Sequence, residues 1–389
     1  GGGKGGGMSG MERDRLRVAV LDEAHIVCAT LSFAGSGVFY RLNRKFDVVV
    51  VDEAAQCVEP SVLVPLVMGC RQAYFVGDPV QLPATVISTR AVEHGYDCSM
   101  FKRLQQAGYP VKVLNTQYRM HPEISRFPSS EFYDGRLIDG DSVVRSPPPP
   151  WHAAAIFGPI AFIDIPGRED VPKNGASLIN RAEAKLVLCL FRQMTLRHPR
   201  LLTSPSVGII SPYKAQVNYL REKIDKALGD ETARMVDINT IDGFQGREKD
   251  VCIFSCVRGQ RRDTEDKDGK KKKKSKGIGF VADERRINVG ITRAKTSLIV
   301  VGNAQALMVD EHWSNLIRSA LERGRLFRPK APYEQWIASA AMGEVEPVQP
   351  TAEEIQVLER AKMKRLAREK AKERKAARAA AAAAAAEEA

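Results

Sequence analysis

Four consecutive valines, Val48–Val51 in the stretch FDVVVVDEAAQ, constrain this chain more than any other feature of it. A strand that is apolar at every position has no face to give to water. It needs cover above and below, which a parallel sheet flanked by helices supplies. Similar runs recur: HIVCATLS, AYFVGD and VKVLNT near that stretch, then IAFIDIPG, SVGIISP, RMVDINTIDG, DVCIFSCVR and TSLIVVGN further on. Each is expected to be a strand. Residues 180–197, 213–228 and 304–323 read as helices, the first opening at Asn180 with Glu183 three residues on, a capping arrangement. This alternation predicts an α/β fold with too many strands for one small sheet.

At 389 residues and 44% hydrophobic content the chain has room for two domains, and no apolar run reaches the length of a membrane span. The net charge of +12 is concentrated in two low-complexity segments: 261–276 carries +5 and 360–378 carries +8, which leaves −1 for everything else. Any nucleic-acid function of the core therefore has to rest on motifs and not on overall basicity. The seven cysteines include no C-x-x-C pair and read as reduced thiols, with Cys252 and Cys256 spaced to share one face of a strand. The run GKKKKKSKG has three readings: a nuclear import signal, a contact to phosphates, or a solvated insertion.

A phosphate loop requires G-x-x-x-x-G-K-[ST], in which backbone N–H groups wrap the phosphates and the hydroxyl ligates Mg²⁺. In the opening GGGKGGG, Gly5 follows Lys4 where the hydroxyl belongs, and no G-K-[ST] occurs elsewhere, so the stretch reads as a low-complexity tail. Two acidic pairs follow. LDEAH at 21–25 comes after RDRLRVAV and reads as the end of a helix. Asp52 and Glu53 instead close the valine run, where α/β sheets place ligand-binding residues. There Asp52 can hold Mg²⁺ and Glu53 can orient and deprotonate a water; a plain helix cap is the alternative. FVGDPVQLPA repeats the design 26 residues later, with Gly77, Asp78 and Pro79 at a strand end and Gln81 able to bond a terminal phosphate or the attacking water. NTQYRMHPEIS at 115–125 adds Arg119, whose planar fork suits developing phosphoryl charge, and Tyr118, able to stack on a base. His121 reads as a structural hydrogen bond before Pro122.

Taken in order, DEAAQ, GDPVQLP, QYRMHP, TIDGFQGREKD (240–250) and RRINVGITRAK (285–295) resemble motifs II to VI of superfamily 1 helicases. The branch they resemble contains senataxin and the RNA helicase of nonsense-mediated decay, and IVCATLSFAGSG (26–37) is similar to that branch's contact to the nucleic-acid backbone. The resemblance covers about residues 12–305 and implies two RecA-like parallel-sheet P-loop NTPase domains with ATP in the cleft and a single strand across the top. It also implies that Asp52 ligates Mg²⁺, Glu53 activates water, Gln81 senses the γ-phosphate, and Arg119 and Arg293 are arginine fingers. Tyr118, Gly77, Asp78, Gly246 and Glu248 would lie around the nucleotide, Glu248 near the ribose. Thr30, Thr240, Ser211 and Tyr213 would touch single-stranded RNA or DNA.

The domain organisation expected on this basis is a Gly-rich disordered tail at 1–11, an incomplete first RecA-like domain at 12–116, a second at 117–330 with a basic disordered loop at 259–277, and a charged, Ala-rich helical tail at 331–389. The family's phosphate loop should precede HIVCATLS, and truncation of a working helicase is the expectation. The alternative is an inactive nucleic-acid-binding or scaffold protein derived from one. A monomeric motor in the nucleus or cytoplasm, using ATP and Mg²⁺ and free of membranes, completes the reading.

Overall fold

The computed structural model describes residues 9–172, 175, 177–204, 206–259 and 278–352, and a few positions up to 370. The GGGKGGG stretch, nearly all of the expected basic loop and about half of the expected helical tail lie outside the described residues. The chain divides into two compact units, Gly1–Leu114 and Asn115–Ala389.

The first unit begins with helix α1 (Gly10–Glu23), so the expected disordered tail does not extend through residue 11. The reason is a reciprocal cap: the Ser9 hydroxyl accepts from the Glu12 N–H, and the Glu12 carboxylate accepts from the Ser9 N–H at 2.8 Å. Asp22 and Glu23 close this helix, as the reading of LDEAH required. HIVCATLS is not a strand. Residues 26–30 lie outside any helix or strand and lead into α2 (Leu31–Ala34), with Thr30 as its N-cap and Ile26 84% exposed. A run that finds neither a paired neighbour nor cover gains nothing by extending. Strand β1 (Val48–Val51), helix α3 (Glu59–Leu66), strand β2 (Gln72–Phe75) and helices α4 (Thr89–Glu93) and α5 (Met100–Gln106) follow. β1 and β2 pair in parallel, Val48 opposite Gln72 through Val51 opposite Phe75. Val51, Ala54, Val62 and Met100 form their small core. Here the expectation of burial on both faces fails: Val48 and Val50 are exposed, and only the alternate face of β1 is covered. VKVLNT also falls short, since residues 111–115 form no strand.

The second unit opens with β3 (Thr116–Gln117), α6 (Pro122–Phe132), β4 (Ile138–Asp139) and α7 (Asp141–Val144); β3 and β4 make a parallel pair. Next come β5 (Ile160–Asp164), α8 (Arg181–Arg197), β6 (Val207–Ser211), α9 (Lys214–Arg234) and β7 (Val236–Thr240). The chain continues through β8 (Lys249–Ser255), α10 (Glu284–Ile291), β9 (Ala294–Gly302), α11 (Ala304–Leu307), α12 (Glu311–Glu322), β10 (Leu326–Phe327) and α13 (Tyr333–Ala341). Six strands form one parallel sheet in the order β10-β5-β9-β8-β6-β7.

Both faces of this sheet are covered, which is what its unalternating apolar strands require. One face packs Ile163, Ile209, Ile253 and Ile299 against α8, α9 and α13 through Leu190, Leu220 and Ile337. On the other, Phe254 meets Trp313 of α12 with ring centroids 5.7 Å apart, and the absent side chain of Gly290 leaves room for the Phe254 ring. Trp313, Phe254 and Phe162 are each almost wholly removed from water. Cys252 and Cys256 are fully buried, the latter one residue past the end of β8, and burial pushes the Cys252 thiol up to about 12. Cys28 is the exposed exception among the seven thiols. Among the described residues no helix is long and apolar enough to cross a membrane.

Candidate functional site

In the first unit, parallel pairing carries two loops to the same end of the sheet. β1 runs out at Val51 into Asp52 and Glu53, and β2 runs out at Phe75 into Val76, Gly77 and Asp78. The loops are tied to each other: the Val76 N–H donates to Val51 O at 2.9 Å, and the Ala54 N–H donates to Val76 O at 2.8 Å. Their approach is so close that a Cβ on Gly77 would lie 2.8 Å from the Ala55 nitrogen. Glycine is needed here for space, at a backbone atom that cannot swing aside.

Glu53 adopts a left-handed backbone (φ 51°), rare for a residue with a side chain and found where a turn is held from both sides. Asp52 Oδ1 accepts from the Glu53 N–H at 3.0 Å, and Glu53 Oε2 accepts from Gln56 Nε2 at 2.7 Å. Both acidic residues are exposed. Beside them, burial and then the charge of Glu53 push the Cys57 thiol up. On the β2 side, Asp78 accepts from the Val80 N–H through Oδ1 and from Gln81 Nε2 through Oδ2, the latter at 2.8 Å. Gln81 is therefore aimed by Asp78. No three His, Cys, Asp or Glu side chains among the described residues converge on a protein-only metal site. Mg²⁺ characteristically takes one or two carboxylates and completes its shell with water and phosphate oxygens, and Asp52 fits that donor set.

In the second unit three distant motifs meet around one carboxylate. Glu248 of GREKD accepts from Arg119 Nε at 2.6 Å through Oε2 and pairs with Lys295 Nζ at 2.8 Å through Oε1. The Lys295 ammonium, together with the Arg119 guanidinium, holds the Glu248 carboxyl below its usual range. Arg119 also donates to the Thr292 carbonyl at 3.3 Å. Two features of the strands bring these residues together. The β8–β9 register slips between Lys249 and Val251, an irregularity of the kind that re-aims side chains. The His121 N–H then donates to Lys295 O at 2.7 Å. His121 itself caps α6, its Nδ1 accepting from the Glu123 N–H, which is the structural role read for it.

Arg293 is 3% exposed and turned inward: Nε donates to Val289 O at 2.9 Å, and Nη2 donates to Thr292 Oγ1 at 3.3 Å. Tyr118 is 68% exposed, with its ring over Gly140, where any Cβ would collide with it. Gly246 holds a left-handed backbone (φ 70°) two residues before Glu248.

Two residues in this cluster, Lys295 and Gln117, escaped the sequence reading. Gln117 donates through Nε2 to Met120 O and Asp139 Oδ1, and accepts through Oε1 from the N–H groups of Arg119 and Met120. It pins the turn that carries Arg119. Only its place beside Tyr118 and Arg119 in QYRMHP hinted at this.

The candidates for strand contact separate by exposure. Thr30 is exposed and caps α2 by accepting from the Phe33 N–H at 3.3 Å. Thr240 ends β7 half-buried, its hydroxyl accepting from the Gly243 N–H. Ser211, its register partner at the end of β6, is fully buried and accepts from the Tyr213 N–H. Tyr213 is 8% exposed and donates to Ile278 O at 3.4 Å; burial raises its phenol. The segment from Thr240 to Glu248 crosses from the C-terminal end of β7 to the N-terminal end of β8, passing Phe244 over Gly208.

Comparison with known proteins places this assembly. Family models described as AAA domain match residues 9–89 and 96–305. The probable helicase MAGATAMA 3 of Arabidopsis thaliana is 49% identical over 85% of this chain and 39% of its own length. Helicase sen1 of Schizosaccharomyces pombe is 37% identical over 80% of this chain and 18% of its own length. The ATP-dependent helicase NAM7 of Saccharomyces cerevisiae is 35% identical over 80% of this chain and 31% of its own length. The chain belongs to the AAA-domain superfamily 1 helicases, in the senataxin and nonsense-mediated-decay branch, with the RecA-like α/β fold of that class. It spans well under half the length of each of these relatives.

Proposed function

We propose that this chain is the motor portion of an ATP-dependent helicase that moves on single-stranded RNA or DNA. The observation that carries the reading is the juxtaposition of DEAAQ and GDPVQ, tied together at the ends of two parallel strands. In this reading Asp52 holds Mg²⁺, and Glu53 takes a proton from the attacking water on its carboxylate. Gln81, aimed by Asp78, bonds the terminal phosphate. Bound Mg²⁺ neutralises phosphate charge and polarises the phosphoryl group. Gly77 keeps the two loops close enough for this set to act as one.

Arg119 supplies positive charge toward the phosphoryl group by exchanging Glu248 for phosphate oxygens. Arg293, expected from the resemblance as a second finger, is instead buried on the backbone of α10 and supports the turn at Thr292 from inside. Tyr118 stacks on the base, and Gly246 and Glu248 lie toward the ribose. Thr30 and Thr240 offer hydroxyls to the strand, while Ser211 and Tyr213 shape their end of the sheet from inside. Contacts of this kind are sequence-tolerant and weaken with salt. The motor acts as a monomer, in the nucleus or cytoplasm.

A second reading, a non-catalytic nucleic-acid-binding protein that draws its affinity from its basic segments, is favoured by one observation: 261–276 carries +5 and 360–378 carries +8. ATP turnover with and without single-stranded RNA, wild type against Glu53→Gln, separates the two. Strand-stimulated turnover that falls about 100-fold or more in Glu53→Gln supports the motor, a general base contributing roughly that much. Salt-sensitive strand binding that is lost when 261–276 and 360–378 are deleted, with no turnover and no response to nucleotide, supports the second reading.

A further inference from the structure

Four fully buried polar residues of the second unit form a network that the nucleotide chemistry leaves unused. Asn180 and Glu183 stand at the start of α8, Gln216 in the first turn of α9, and Ser255 at the end of β8. All four are wholly inaccessible to water. The Asn180 carbonyl amide oxygen accepts from the Glu183 N–H, the cap expected from sequence. The Glu183 carboxylate does not close a reciprocal box. It reaches across to β8, where Oε2 accepts from Ser255 Oγ and from the Val257 N–H, both at 2.8 Å. Its Oε1 accepts from Asn180 Nδ2 at 3.1 Å, and Asn180 Nδ2 also donates to the Val257 carbonyl at 3.1 Å. Gln216 completes the set, donating to Ser255 Oγ at 3.0 Å and accepting from the Asn180 N–H at 3.0 Å.

What this network holds is an unusual turn. Val257 has a left-handed backbone (φ 69°), a conformation that costs a β-branched residue about 1–3 kcal/mol and persists only where the surroundings over-determine it. Here both of its backbone polar groups are bonded to Glu183 and Asn180. The strained turn delivers Arg258, whose Nε lies 2.8 Å from Glu169 Oε2 in a pair almost entirely out of water. Nearby, the Arg258 charge works against the burial that raises the Tyr213 phenol, and Gln216, three residues past Tyr213, donates to Ser255 Oγ at the end of β8. The chain of contacts thus joins two loops at the C-terminal end of the sheet: 255–259 after β8, and 211–213 after β6.

We infer that Glu183 is a positioning residue for the strand-contacting end of the sheet, fixing loops 211–213 and 255–259 in one mutual arrangement through the strained turn at Val257. The inference rests on the proposed strand binding and adds to it a residue remote from every helicase motif. Its chemistry is that of an acceptor among donors. Every hydrogen-bonding group facing Glu183 from β8 and Asn180 is an N–H or O–H, so a carboxylate satisfies all of them. A glutamine of the same shape cannot, because its NH₂ must face either the Val257 N–H or the Asn180 amide. Turning Asn180 over to relieve this would remove the acceptor that caps α8.

The test is the affinity of the full chain for a fluorescein-labelled oligouridylate, read by anisotropy alongside thermal melting, for wild type, Glu183→Gln and Val257→Gly. The measurements are made at pH 9, above the range in which burial keeps the Glu183 carboxyl protonated. There Glu183→Gln removes a buried charge and mismatches the turn, so its Tm should be no lower than that of wild type while its Kd rises about tenfold. Val257→Gly takes up the same backbone without strain and frees the loop, so it should also weaken binding several-fold. Affinities within twofold of wild type in both variants overturn the inference, as does weakening that only tracks a loss of Tm. Should Glu183→Gln fail to fold, the same criteria apply to Val257→Gly alone. Wild-type chain that does not bind the oligonucleotide refutes the proposed function first, and the inference with it.

Discussion

The two units of this chain answer the same sequence pattern differently. β8 and β9 in the second unit and β1 in the first are equally unalternating runs of Val, Ile and their like. β8 and β9 are buried on both faces, under α8 and α9 on one side and α12 on the other. In β1, Val49 and Val51 face a small core while Val48 and Val50 face water. An apolar run states a requirement for cover; it does not create the cover. Burial follows from what packs on the strand, so equal hydrophobicity yields unequal stability.

The contrast can be broken most directly by truncating side chains in each unit and measuring urea unfolding. Trp313→Ala removes a fully buried indole and should cost about 3–5 kcal/mol. Val50→Thr, at a 63% exposed position, should change stability by no more than about 0.5 kcal/mol. A large loss from Val50→Thr would mean that the first unit's sheet is covered in solution.

A pH series sharpens the same comparison, because buried charge belongs to the second unit. Burial pushes the Glu183 carboxyl up to about 8 from 4.5, against the hydrogen bonds that favour its ionised form. Between those values the folded state binds more protons than the unfolded state. Stability therefore falls as pH rises through that window, by at most about 1.4 kcal/mol per pH unit. Glu183→Gln should flatten the fall, and an unchanged slope would show that the ionised carboxylate is well solvated by its donors.

Within the first unit, the coupling of its two loops is tested at Gly77. Gly77→Ala places a methyl against the Ala55 nitrogen and should cost about 1–3 kcal/mol, confined to the first unit and visible as faster amide exchange around Ala54 and Val76. Exchange unchanged there would mean that the DEAAQ and GDPVQ loops are less tightly coupled than their hydrogen bonds indicate.

Sequence reasoning located the long strands β5 to β9 of the second unit because each run met its cover, missed the two-residue strands β4 and β10, and located the Asn180 and His121 caps because caps are local. It failed at HIVCATLS and VKVLNT, where the pattern was right and a pairing partner was lacking. Arg119 and Glu248 of the Arg119–Glu248–Lys295 cluster stand out by motif, but their meeting across 129 residues depends on a register slip that no spacing reveals. Glu183 was legible only as half of a cap. Its carboxylate turned to a strand 72 residues away, a choice set by the strained turn there. Gln117 was hidden for the opposite reason, since three of its four bonds are short-range but its type is common in loops.

The ion pair between Arg119 and Glu248 has a consequence for exchange. Both side chains are more than a third exposed, so their attraction is worth about 1 kcal/mol or less, under a factor of ten in any competing equilibrium. Glu248 thus acts as a weak placeholder. It keeps the guanidinium extended and oriented and, under the proposed function, yields it to the phosphates of the nucleotide. Raising ionic strength would loosen the placeholder and the phosphates' hold together, leaving the order of exchange unchanged.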